Sequence, residues 1–287
     1  MANYILELEK VKKKLSTNNN QPDGLLYDSK IKIIQERYKI SNLIISYEKI
    51  ISKCLNDARN NEVKKAIRLF HGVMNSIDFS NFNLIEKTMF NINSFPVRAY
   101  LEYKSNDFVT AIDTTNLIMF EIIDLEKEND FLLYFRIQQL HNISRVLVKE
   151  KKYEETVDII ILLFDFLVLN KSINYEKHFF KFNKTNNLEL HNLFILQVFN
   201  ETISYFDRNI LDYNLYFEKC FKNILEIQTV LDNEQKIVYL WASMKNKLLN
   251  NQEIIESEID EYVKLSEYLN SELSTTILLN DLKKETA

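Results

Sequence analysis

Four histidines, two cysteines and an abundance of carboxylates are the residues in this sequence that could do chemistry, and their spacing assigns none of them a reaction. His71, His141, His178 and His191 have no H-x-x-x-H pairing and no cysteine beside them, so nothing local builds a metal site. Cys54 and Cys220 sit far apart in apolar stretches and read as buried free thiols. No Gly-x-Ser-x-Gly elbow and no Cys-His signature carries a nucleophile. Gly24 and Gly72 are the only glycines, so a glycine-rich phosphate cradle is excluded. Carboxylate pairs such as Glu154-Glu155 read as solvated helix surface. The expectation is a protein that is not an enzyme and holds no cofactor and no metal.

Binding chemistry fares better. Arg98, Asn142, Arg145, Asn200, Lys245 and Asn246 are polar residues on stretches that read as inner helices. An amide side chain can hold both the N–H and the C=O of an extended peptide, and an arginine can clamp a carboxylate. Tyr205, Phe206, Tyr213, Tyr216, Phe217 and Phe221 form an aromatic strip at helical spacing, which reads as core before it reads as a ligand groove.

The elements that must position these residues are helices. Two glycines and two prolines in 287 residues leave almost no hairpin or βα-turn punctuation, and 46% apolar content supports a real core. The net charge is −5, unevenly spread, because the first 60 residues hold 11 basic and 7 acidic side chains. The longest apolar run, Ile159 to Phe164, is far short of a membrane span, and no signal peptide is apparent at the amino end. A cytoplasmic protein with no membrane partner is expected.

Periodicity and breaks predict helices near 2–15, 28–38, 41–58, 61–76, 80–92, 95–105, 107–126, 129–149, 152–169, 172–181, 187–207, 212–231, 234–250, 252–270 and 272–284. Polar breaks at Asn60-Asn61, Ser105-Asn106-Asp107 and Asn250-Asn251 supply caps and turns, which makes consecutive helices antiparallel neighbours. Residues 16–24 are the one obvious linker.

Self-comparison gives a repeat of 45 residues anchored on Ala66, Ala111 and Thr156. A bulky residue precedes each anchor by three positions: Val63, Phe108 and Tyr153. Another small residue precedes it by twelve: Cys54, Ala99 and Ser144. Trp241, Ile254 and Ser257 suggest an irregular fourth unit. The expected fold is all-α, a right-handed superhelical array of antiparallel helix pairs of tetratricopeptide-like kind, with a concave wall that binds peptides or protein segments. Residues 1–40 form an N-terminal helical segment, a capping pair or a degenerate helix-turn-helix, and 41–287 form the repeat domain.

Thr202 to Lys219, Lys236 to Ala242, Lys247 to Asn250 and Leu265 to Asn270 resemble the end of Rgg/MutR-type regulators. That resemblance implies a repeat domain that receives a short secreted signalling peptide in its groove, a homodimer, and transcription regulation in quorum sensing through an N-terminal helix-turn-helix. It places a groove asparagine at Asn200 and an Asn-plus-Arg feature at Asn142 and Arg145. The DNA-binding candidate is Ile31 to Ile50, with Ile34, Tyr38, Ile40 and Ile45 at apolar positions and Ser41 and Ser46 ahead of Glu48. Gln35 and Lys39 stand where the family has a small residue and a turn glycine, so DNA contact is expected to be weak at most. The alternative is an interaction adaptor with no DNA contact.

Overall fold

The computed structural model describes residues 2–17, 40–123, 130–183, 188–227 and 231–286. The predicted helix at 28–38 lies outside these residues. Twelve α-helices and one short hairpin make up the described chain: α1 Ala2–Thr17, α2 Asn42–Arg59, α3 Val63–Ser76, α4 Leu84–Lys104, α5 Phe108–Glu121, α6 Asp130–Glu150, α7 Tyr153–Leu167, β1 Ile173–Tyr175, β2 His178–Phe180, α8 Leu188–Asp207, α9 Tyr213–Leu225, α10 Asn233–Leu249, α11 Glu256–Tyr268 and α12 Glu272–Thr286. The fold is all-α, with adjacent helices packed as pairs. The chain divides into a central unit, Pro22–Lys152, and a terminal unit, Met1–Gln21 with Tyr153–Ala287.

In the central unit α2 packs on α3 and α4, α4 on α5, and α5 on α6. The small residues sit where helices meet: Cys54, Ala66, Ala111 and Ser144 are fully buried, and Ala99 is half-buried. Each pair turns in the same way. Asn61, Asn106 and Lys151 have left-handed backbone at φ 65°, 61° and 65°. The following residue's N–H closes back five positions, Glu62 to Asp57, Asp107 to Glu102 and Lys152 to Leu147, at 2.9–3.0 Å. This is the helix-stop geometry usually made with glycine, here made mostly with asparagine, whose short polar side chain tolerates that region. Asp107 then caps α5 through the Thr110 N–H.

Three expectations are corrected here. Residues 84–104 form one helix, begun by a capping box of Asn83 with Glu86, in place of the two predicted at 80–92 and 95–105. Pro96 removes one helical N–H, but Phe90, Ile92, Val97 and Leu101 are buried on both sides of it and carry the helix through. Residues 172–181 form no helix. Ile173 and Phe180 pair inward across an antiparallel hairpin, Asn174 and Phe179 point outward, and Glu176 turns at φ 49°. The irregular fourth unit also fails, because Ser257 is exposed and α11 buries Ile259, Tyr262 and Ser266 instead.

The terminal unit is held by aromatic rings. Phe206 stacks on Tyr213 at 4.9 Å, Phe217 meets Phe221 at 5.0 Å, and Phe164, Phe199 and Trp241 lie within 5.3–5.7 Å of members of this cluster. Tyr205, Phe206, Phe217 and Phe221 of the aromatic strip are therefore core, whereas Tyr213 and Tyr216 are half-buried and Tyr216 carries the Lys219 ammonium over its ring at 5.3 Å. The Trp241 indole N–H donates to the Ser274 carbonyl at 3.2 Å, and the Tyr262 hydroxyl donates to Ser274 Oγ at 2.7 Å, which ties α10, α11 and α12 together. Helix α1 packs on α11 and α12 through Leu8, Val11 and Leu15. Lys14 with Glu267 (2.8 Å) and Lys283 with Glu9 (2.6 Å) flank that seam.

Candidate functional site

The best-formed polar constellation in the central unit runs along α6. That helix carries Arg136, Gln139, Asn142 and Arg145 at successive i, i+3 positions, each about 60° round the axis from the last, so successive residues are neighbours while Arg136 and Arg145 lie on opposite sides. Arg136 and Gln139 are buried, and Asn142 and Arg145 are half-buried. The Asn142 amide donates to Gln139 Oε1 at 3.2 Å and accepts from Arg145 Nη1 at 2.8 Å. Each bond uses one of the amide's two donors and one of its two lone pairs, so one of each remains for a ligand. Asn142 and Arg145 are thus brought together as a coupled pair. Gln139 escaped the sequence reading, although its place three residues before Asn142 is a signal that could have found it.

Arg98 lies elsewhere in the same unit, exposed on α4, where it donates to Glu102 at 2.8 Å; Glu102 also accepts from the Thr114 hydroxyl of α5 at 2.7 Å. Glu48, from the DNA-binding candidate, is half-buried and accepts from Asn93 of α4 at 2.6 Å. Ser46 is exposed and donates to the Asn42 carbonyl within α2. Residues 31–39 of that candidate lie outside the described residues.

Asn200, Lys245 and Asn246 belong to the terminal unit. Asn200 is half-buried on α8, and its amide oxygen has no hydrogen-bond partner among the described residues. Two turns earlier Asn192 bonds the Glu234 side chain, whose carboxyl is held above its ordinary value by burial first. Lys245 is only 5% exposed. Its ammonium pairs with Asp281 and lies 4.1 Å from the centre of the Tyr213 ring, so it joins α9, α10 and α12 from within. Burial, then Asp281 and Asp207, raise the Tyr213 phenol far above its ordinary value. Asn246 ends α10, where its carbonyl and amide oxygens accept from Asn250 at 2.8 and 3.2 Å.

His71 is exposed, while His141, His178 and His191 are buried; burial lowers the His191 pKa. Burial raises both thiols, Cys220 to about 12, which keeps it protonated at neutral pH. Among the described residues no three His, Cys, Asp or Glu side chains gather as metal ligands, and no helix is long and apolar enough to cross a membrane.

Pairs of helices closed by a recurring turn, with a polar face on an inner helix, define an all-α helical-repeat protein. Comparison with family models, with curated proteins and with solved structures gives no match.

Proposed function

We propose that this protein is a cytoplasmic, homodimeric, peptide-binding sensor that regulates transcription in the manner of the Rgg-like regulators it resembles. The observation that supports this reading is the Gln139–Asn142–Arg145 chain on α6. Its bonds fix the Asn142 amide plane, and a preset amide binds an extended backbone with little ordering cost. Arg145 holds the amide from the other side. DNA contact in this reading is weak at most.

The test is fluorescence anisotropy with a labelled apolar octapeptide that ends in a free carboxylate. Removing a hydrogen-bonding partner from a desolvated groove costs about 1–3 kcal/mol, so Asn142→Ala should weaken binding by roughly 5- to 150-fold. The melting temperature should hold, because a half-buried polar face carries little packing. Wild-type affinity in an Asn142→Ala, Arg145→Ala double variant would overturn the reading. The alternative, an interaction adaptor with no DNA contact, draws support from exposed Val109, Leu117 and Phe120 on α5.

A further inference from the structure

Repeat register exposes an anomaly on α5. The outward line of α3 carries Lys64, Arg68, Gly72 and Asn75, all exposed, and a Cβ added at Gly72 would meet nothing within 4 Å. Forty-five residues on, the same line of α5 carries Val109, Asp113, Leu117 and Phe120. Val109, Leu117 and Phe120 are 63%, 46% and 62% exposed. On α7 the line carries Glu154 and Asp158, both exposed, then half-buried Leu162 and Asp165, and Glu154 pairs with Lys219 at 2.8 Å. Of the three, only the middle repeat exposes large apolar side chains along this line. Three such residues on one face of a helix are a contiguous stripe, which marks a contact surface where scattered single residues would not.

The charges along the stripe say what fits it. Asp113 interrupts the apolar residues, is exposed, and has no ion-pair partner among the described residues. Glu121 follows Phe120 at the helix end, where the α5 dipole is also negative. A second copy of α5 laid on this face would bring Asp113 close to its own equivalent, a like-charge contact that disfavours self-pairing. A cation between two apolar groups satisfies all three features. The stripe runs straight along about three turns, the footprint of a helix lying alongside.

We propose that the outer face of α5 docks an amphipathic helix of a partner protein that presents a lysine or arginine between two apolar anchors. This surface is independent of the α6 constellation, so its failure and the failure of the peptide-sensor reading separate in the same measurements.

The probe is a capped, alanine-rich helical peptide about five turns long. It carries leucines on one face with a single arginine between them, and a second peptide replaces that arginine by glutamate. Calorimetric titration of the full chain should favour the arginine peptide by at least about 5-fold. Phe120→Glu should weaken binding by about 10-fold or more at an unchanged melting temperature, and Asp113→Arg should invert the preference between the peptides. Asn142→Ala should leave both titrations unchanged. Equal binding of the two peptides, no binding of either, or undiminished binding by Phe120→Glu would overturn the proposal. So would concentration-dependent self-association that Phe120→Glu abolishes, because the occupant would then be a second copy.

Discussion

In the central unit the turns at Asn61, Asn106 and Lys151 recur at one spacing, whereas the terminal unit turns at Asn170, Asn209, Asn251 and Asn270 at uneven intervals, although Asn209, Asn251 and Asn270 close with the same backbone bond. Small residues set the helix contacts of the first, and a cluster of rings sets those of the second. The central unit is specified by local rules repeated along the chain. The terminal unit is specified by contacts between residues far apart in sequence, where helix lengths and turns are free to vary once the rings interlock.

Substitutions can break this contrast, beginning with the largest effect. Trp241→Ala empties the centre of the ring cluster and leaves the Ser274 carbonyl without its donor, which should cost about 3–5 kcal/mol in urea denaturation followed by far-ultraviolet circular dichroism. A loss well below that range would mean that the rings are replaceable filler. Ala111→Leu forces bulk into the α4–α5 contact and should cost about 1–3 kcal/mol by the same measurement. Unchanged stability would remove the small-residue rule for the central unit. The smallest effect sharpens the turn argument. Lys151 holds a left-handed backbone with a side chain poorly suited to it, so Lys151→Gly should stabilise by about 0.5–1 kcal/mol, while Asn106→Gly stays within about 0.5 kcal/mol. Equal shifts for the two would show that asparagine gains nothing at this position.

The difference between the units also explains what the sequence discloses. Anchors at 66, 111 and 156 are legible because a small buried residue and a polar turn recur together, and Asn61 and Asn106 lie in breaks visible in the sequence. The hairpin is illegible because Ile173 and Phe180, seven residues apart, fall on one side of a helix as readily as they pair across a hairpin. Pro96 reads as a break until the burial on both sides of it is known. Asn142 and Arg145 could be picked out by residue type, and the structure adds that they are bonded to each other. Lys245 read as a groove cation because Asp281, 36 positions away, gives no local sign of pairing with it. Ser257 was chosen by analogy with the first three anchors, in a region where no common spacing operates.

The seam that α1 makes with α11 and α12 sets an order of events during synthesis. Lys14 meets Glu267, a residue made 253 positions later, so α1 must wait for its partners until that stretch has been synthesised. During that interval Leu8, Val11 and Leu15 have no helix to cover them, and Lys10, Lys12, Lys13 and Lys14 keep the waiting segment hydrated. The terminal unit therefore closes only once α11 and α12 have been made, at the rate of a long-range encounter, while the central unit's neighbouring pairs can form as they emerge.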